Sequence, residues 1–444
     1  MKNLFGTDGI RGKANAGFIT PLNAMRIATA VVNYYRSISH KTNNPRFTVV
    51  IGKDTRLSGY MLEPSLTAGF VAAGANVTLL GPIPTPGVAF MTKSLRADLG
   101  VVISASHNQY QDNGIKFFNS EGLKLSLQDE AKITSIFNED QRLVTPRYMG
   151  RAKRLDDAAG RYVEFVKNSF PKSLSLSGMK IIIDTAHGAA YKVAPQIFWE
   201  LGASIIAIGN SPNGLNINHA CGAMHVESLQ KAVVKHKADI GIALDGDADR
   251  VILVDETGDV IDGDYLIAAI AKDWQESGKL ARNVVVATTM SNLGLEKYLH
   301  GLGIALLRTD VGDKYVLDGL LQEKTNVGGE KSGHIILTEY SMTGDGTVAA
   351  LQVLAYIQKN NLKASSIKKL YTSHPQILKN VRKPINIADI ETINCIKEVE
   401  TILGTAGRLV IRKSGTEPIT RIMLEAESRE LISIAEKHLN RISG

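Results

Sequence analysis

The sequence predicts an α/β protein: three repeated mixed α/β domains plus a smaller C-terminal α+β domain, arranged around a central cleft. Two observations carry that expectation. One pattern occurs three times: an apolar β-branched strand, a polar loop, a helical segment, a Gly-Ala-like turn, and a second strand running into a Gly/Pro/Asp-rich loop. The chain after residue 371 then abandons this pattern.

The first copy runs from FTVVIGKDTRLSG, starting at Phe47, to AAGANVTLLGPIPTPG. The second runs from MKIIIDTAHGAAY, at Met179, to LGASIIAIGNSPNG, and the third from NVVVATTMSNLG, at Asn283, to LGIALLRTDVGDKY. Short strands enclosing roughly 12–15 residues of helical periodicity are the βαβ signature. They predict parallel-rich sheets whose ligands lie beyond the carboxyl ends of the strands. The terminal segment reads as helix ETINCIKEVETIL, strand GRLVIR, loop KSGTEP, strand TRIMLEAE and helix ELISIAEKHLNRI. The expected divisions are 1–155, 156–254, 255–371 and 372–444. The first falls at the basic stretch RAKRLDDAAGRY and the second at the turn Asp255-Glu256-Thr257-Gly258.

A chain of 444 residues has the length of three or four domains. Its 44% hydrophobic and 21% charged residues exclude disordered and fibrous classes. Apolar runs fall short of the roughly 18 residues a membrane span requires, and the first eight residues lack a signal-peptide apolar region. No membrane partner is expected, and the cytoplasm is the expected compartment. Cys221 and Cys395 lie outside any CxxC spacing, which argues against a disulfide scaffold or a zinc site. The net charge of +7 is spread without any run of five basic residues, so no nucleic-acid partner is expected. That surplus suits a cleft for a phosphorylated ligand and an ordinary solvated surface equally well.

The sharpest local signal is Asp245-Gly246-Asp247-Ala248-Asp249-Arg250 between the apolar strands DIGIAL and RVILVD. In extended chain, residues i, i+2 and i+4 share a face, so three carboxylates converge there. A hard divalent cation, magnesium, relieves their repulsion. An EF-hand calcium loop would put Glu256 at its twelfth position, but Arg250 stands where glycine is required and the flanks are strands. An aspartyl-phosphate phosphatase motif matches Asp245 and Asp247 but meets Asp249 in place of threonine.

Ser104-Ala105-Ser106-His107-Asn108 ends the strand ADLGVVIS, where a serine can be presented to a ligand, or can simply stabilise a turn. There is no GxSxG elbow and no Walker A sequence. Arg412-Lys413-Ser414-Gly415-Thr416-Glu417-Pro418, with Arg421 beyond it, is a compact anion-binding pattern or a surface turn. Gly328-Gly329-Glu330-Lys331-Ser332-Gly333-His334 offers a carboxylate and a hydroxyl for sugar hydroxyls, and a histidine that titrates near neutrality or only bonds structurally.

These four motifs in this order, with Phe5-Gly6-Thr7-Asp8-Gly9-Ile10-Arg11-Gly12 before them, resemble the α-D-phosphohexomutase family across the entire chain. Pro212-Asn213-Gly214-Leu215-Asn216-Ile217-Asn218 followed by Cys221-Gly222, and Met290-Ser291-Asn292-Leu293-Gly294, resemble its amino-sugar branch rather than its phosphomannomutase/phosphoglucomutase branch. The resemblance implies an isomerase interconverting glucosamine 6-phosphate and glucosamine 1-phosphate. Ser106 would be a phosphoserine; Asp245, Asp247, Asp249 and a phosphoserine oxygen would ligate Mg2+; and glucosamine 1,6-bisphosphate would be the intermediate and activator. Glu330 and Ser332 match the family's sugar loop, Arg412, Ser414, Gly415, Thr416 and Arg421 its distal phosphate site, and Arg11, Lys116 and His334 positions tied to phosphoryl transfer and proton handling. The implied partner is a small sugar phosphate, with a homodimer among the expected oligomeric states. Gln109 stands where the family usually has proline, which predicts a more mobile serine loop. Lys331 stands where glutamine or methionine is common and predicts an added cation beside the sugar loop.

Overall fold

The β-branched runs that mark each repeat pair as central strands in a computed structural model, which describes residues 3–6, 8–38, 47–381, 389–413 and 419–443. The first sheet contains β1 (Ile10–Lys13), β2 (Thr48–Lys53), β3 (Asn76–Pro82), β4 (Leu99–Ile103), β5 (Asp112–Asn119) and β6 (Ala152–Arg154), in the order β1-β5-β4-β2-β3-β6. β2 is parallel to β3 and β4, whereas β5 returns antiparallel on β4. Val49 and Ile51 face one apolar cluster and Val50 the other, which is why the strand reads as a continuous apolar run and not as an alternation.

The second sheet holds β7 (Lys180–Asp184), β8 (Ser204–Ile208), β9 (Ile240–Leu244), β10 (Val251–Asp255) and β11 (Val260–Ile261), in the order β11-β10-β9-β7-β8. β7 is parallel to β8 and β9, and β10 returns antiparallel on β9. This sheet runs past the expected division at 254. Asp255 Oδ1 accepts from the amides of Thr257 and Asp259 at 2.9 and 3.0 Å, and Gly258 takes a φ of +93°. The turn therefore folds β11 back onto β10 instead of releasing the chain into the next unit.

The third sheet, of β12 (Val284–Thr288), β13 (Ala305–Thr309), β14 (Val327–Gly329) and β15 (Ile335–Leu337), repeats the plan, with β12 parallel to both β13 and β14 and β15 returning antiparallel on β14. The terminal sheet, β16 (Gln376–Val381), β17 (Gly407–Lys413) and β18 (Thr420–Ala426), is wholly antiparallel in the order β16-β18-β17. Its helices Ile390–Leu403 and Arg429–Ser443 fall where the sequence predicts them. The three repeated sheets are thus parallel in the middle and hairpin-closed at one side, more mixed than a βαβ reading alone suggests. Three candidate motifs lie in the loops of such hairpins: Ser106 between β4 and β5, the aspartates between β9 and β10, and Glu330 to His334 between β14 and β15; residues 414–418 lie outside the described residues.

One apolar cluster runs from Val50 through Ile183 and Trp274 to Ile367 and joins the first three sheets. The terminal unit keeps its own cluster, from Val399 to Leu439. It meets the third sheet instead through a polar seam. Arg408 Nε lies 2.5 Å from Glu425, whose other oxygen accepts from the amides of Leu293 and Gln376 at 2.9 Å each, and Asn292 exchanges two hydrogen bonds with the backbone of His374. Among the described residues, no helix is long and apolar enough to cross a membrane.

Candidate active site

Ser106 is 1% exposed and sits at the carboxyl end of β4 with a φ of +52°, a left-handed conformation that costs a non-glycine residue about 1 kcal/mol or more unless its surroundings hold it. Here they do. The side chain of Arg56 is fully buried; its Nε donates to Asp54 Oδ2 at 2.8 Å, and its two terminal nitrogens donate to the carbonyls of Ser106, Asn108, Gln109 and Asp112. Asn218 Nδ2 donates to the carbonyls of Ser106 and Asn108 at 2.8 and 2.9 Å. At Gln109, where the proline restraint is missing, a guanidinium grips the loop carbonyls.

Ser106 Oγ donates to Asp245 Oδ2 at 2.8 Å, and ligand oxygens of Asp245, Asp247 and Asp249 all lie within 4.8 Å of one another. The three carboxylates converge, though not through extended chain. Residues 245–249 form a turn with Ala248 at φ +59°, and its amide donates to Asp245 O at 3.0 Å. Gly246 is required there: a Cβ would lie 2.6 Å from both the Ser106 carbonyl and Asn218 Nδ2. Thr85 Oγ1 and Lys116 Nζ reach Asp247 Oδ2 at 2.7 and 3.0 Å. Asp247 Oδ1 and Asp249 Oδ1 remain buried without a hydrogen-bond partner. Burial, then the charges of Asp249 and Asp247, push the Asp245 carboxyl well above its ordinary range. Burial also works to raise Asp249, but Lys116 and His334 outweigh it and hold that carboxyl well below. Two orphaned carboxylate oxygens in an all-oxygen cluster fit a hard divalent cation.

The cationic side is built around Asp8. Its Oδ2 meets Arg11 and, at 3.3 Å, Lys116, while its Oδ1 takes Lys124 at 2.5 Å. Arg11 also donates to Ala105 O at 3.3 Å, on the serine loop. Burial disfavours the Lys116 ammonium, but Asp247, Asp8 and Asp249 overcome this and raise its pKa, so it stays charged. The isolated bridge Arg250↔His334 and the Val251 amide on Gly333 O at 3.0 Å bring the sugar loop against the aspartate turn. His334 lies between Asp249, 3.6 Å from Nδ1, and Asp313, 3.7 Å from Nε2. Burial lowers its pKa, but the two carboxylates, Asp249 first, win and raise it. Glu330 accepts from the Gly312 amide and from Ser332 Oγ, both at 3.0 Å. Lys331 turns away from this loop to Gln376 Oε1, at 2.6 Å, so the expected extra cation serves the seam with the terminal unit.

Arg412 and Arg421 stand opposite each other on β17 and β18 and line a cavity of about 260 Å3 with Met290 and Asn380. Burial, then the neighbouring Arg421, lower the pKa of Arg412, while Glu330 and Asp310 act on it in the opposite sense. Ser414, Gly415 and Thr416 lie outside the described residues. Ser106, Arg11, Lys116, His334 and the aspartates thus form one cluster, with Glu330 and Ser332 adjoining. Sequence reasoning passed over Arg56, Thr85, Lys124 and Asp313, and named Asn218 only in a branch motif, with no role at the serine loop. Arg56, Thr85 and Asn218 follow the carboxyl ends of β2, β3 and β8, which was the signal for them.

Family models described as Phosphoglucomutase/phosphomannomutase, alpha/beta/alpha domains I, II and III and C-terminal domain, match residues 2–143, 160–258, 262–376 and 361–436 in that order. The chain therefore belongs to the phosphoglucomutase/phosphomannomutase family. A phosphoglucosamine mutase from Parvibaculum lavamentivorans is 52% identical over 440 residues, covering 97% of this chain and 96% of the relative, and one from Rhodopseudomonas palustris is 53% identical over 437 residues, covering 97% and 95%. Within the family the chain belongs with the phosphoglucosamine mutases, which are isomerases. The fold is shared with a phosphoglucomutase/phosphomannomutase family protein from Burkholderia thailandensis at a TM-score of 0.82 and 22% identity, covering 99% of this chain and 96% of that one.

Proposed function

We propose that the chain interconverts glucosamine 6-phosphate and glucosamine 1-phosphate through a phosphoserine at Ser106 and a glucosamine 1,6-bisphosphate intermediate. The observation that carries this is the Ser106 hydroxyl, 2.8 Å from Asp245 within the buried aspartate trio. In the forward direction the bond between phosphorus and Ser106 Oγ breaks as one to sugar O1 forms, and the O1 proton leaves to a nearby base. After the bisphosphate turns over, Ser106 Oγ takes the phosphoryl from O6 and the proton returns there. Lys116 and Arg11 stabilise charge on the transferring oxygens. Lys116, held charged, acts electrostatically, and His334 lies beside it between two carboxylates. Glu330 and Ser332 read sugar hydroxyls, and Arg412 and Arg421 hold the phosphate that is not reacting, in either orientation.

Asp245, Asp247, Asp249 and a phosphoserine oxygen would hold magnesium, which supplies charge neutralisation and orientation of the phosphoryl group. The same reading puts the enzyme in the cytoplasm, upstream of cell-envelope polymers. The test is Ser106→Ala. It should keep the fold, abolish mutase turnover and lose the acid-stable mass of one phosphoryl group; substantial residual turnover refutes the assignment.

A further inference from the structure

Lys124 has no part in the reaction as written, yet it sits where two units and the catalytic cations meet. It follows the β5 hairpin of the first unit, largely buried, with its ammonium between Asp8 and Asp313. The two oxygens of Asp8 are divided: Oδ1 takes Lys124 at 2.5 Å, and Oδ2 takes Arg11 and, at 3.3 Å, Lys116. A carboxylate anchored at one oxygen has its other oxygen aimed, so Lys124 fixes the direction from which Arg11 and Lys116 are held. Asp313 opens the helix Asp313–Glu323 of the third unit, and its Oδ2 meets both Lys124 and His334, the latter at 3.7 Å.

We propose that Lys124 is a positioning residue for phosphoryl transfer, orienting Asp8 and through it Arg11 and Lys116, and clasping the third unit to the first through Asp313. It does not touch the substrate. The inference rests on the phospho-Ser106 reading and adds to it the residue that aims the cations. A plain stability clasp would change unfolding and leave the rate on folded enzyme intact, whereas a positioning residue changes the rate. A displacement of about 1 Å in a reacting geometry is worth on the order of a hundredfold in rate.

The test uses full-length, phosphorylated, magnesium-loaded enzyme, with steady-state turnover on glucosamine 6-phosphate and single-turnover transfer from phospho-Ser106. Lys124→Met keeps the stem and removes the ammonium. Its kcat and single-turnover rate should fall together by about 30- to 100-fold, while KM stays within about threefold because Glu330, Arg412 and Arg421 are untouched. Lys124→Arg should recover most of that loss and Lys124→Gln a smaller part. Rates for Lys124→Met within about twofold of the parent overturn the proposal, as does a loss confined to KM. If Lys124→Met does not fold, the order of Arg above Gln decides, and full rates in both overturn it. The parent enzyme in the same assay reports separately on the reaction: absence of phospho-Ser106 there refutes that reading and this inference with it, whereas normal parent turnover with unaffected variants refutes this inference alone.

Discussion

Replacing Arg56 by methionine tests whether the serine loop is held by its buried guanidinium. Four loop carbonyls and the Asp54 carboxylate share that group. The loss falls unevenly among them. Ser106 and Asn108 keep Asn218 as donor, and Gln109 keeps the Asp112 amide at 3.2 Å. The largest cost is thus the buried carboxylate of Asp54, left with Ser104 Oγ at 2.6 Å and the amide of residue 56. Removing one partner of a buried ion pair costs about 3–5 kcal/mol, and that is the destabilisation expected at neutral pH by urea unfolding. Burial already raises the Asp54 pKa, against the opposing pull of Arg56. Without Arg56 it rises further. A carboxyl raised in the folded state retains its stability below the ordinary pKa of about 4 and loses it as pH climbs toward the folded value. The Arg56→Met penalty should therefore shrink by at least about 1 kcal/mol between pH 7 and pH 4.5. Adding Asp54→Asn should restore a comparable part at neutral pH. A penalty below about 1 kcal/mol, or a double variant no more stable than the single one, refutes the reasoning.

Magnesium should raise the thermal midpoint of the parent protein, by the equivalent of about 2.7 kcal/mol at a hundredfold excess over its dissociation constant, and Asp247→Asn should lose most of that rise; equal rises in scanning calorimetry would remove the aspartates as ligands. In magnesium-free buffer the raised pKa of His334 means that its charged pairs with Asp249 and Asp313 stabilise the fold below the ordinary histidine pKa of about 6.5 and fade as pH climbs through the folded value. His334→Gln should flatten that decline in urea titrations above pH 6.5, and parallel curves would contradict it. Arg421→Gln should raise KM about 10- to 100-fold, as expected from losing a charge-assisted contact of about 1.5–3 kcal/mol, with kcat within about fivefold; an unchanged KM would take Arg421 out of the phosphate site.

Much of the architecture was legible because the repeats carry it in residue type: β-branched runs such as Val49 to Ile51 announce strands buried on both faces. The terminal helices, β17 and β18 were legible from their own periodicity, whereas β16, Gln376–Val381, was not expected. The hairpins that close each sheet were harder to read, since β15 spans only Ile335–Leu337 and β11 only Val260–Ile261. The convergence of Asp245, Asp247 and Asp249 was readable from spacing, but the turn that brings it about was not, because alanine gives no hint that residue 248 takes a positive φ. Arg56, Lys124 and Asp313 escaped notice for a different reason. Their partners lie far away in sequence, 189 positions for Lys124 and Asp313, and no local period encodes such a contact.

The seam between the terminal unit and the rest also bears on how the cleft responds to temperature. It is stitched by Arg408, Glu425, Gln376 and Asn292, while each side keeps its oily contacts to itself. Swinging the unit away exchanges polar contacts for water and uncovers little hydrocarbon, so opening carries a small heat-capacity change. The enthalpy of such an opening would then vary little with temperature, because the heat-capacity change sets that variation.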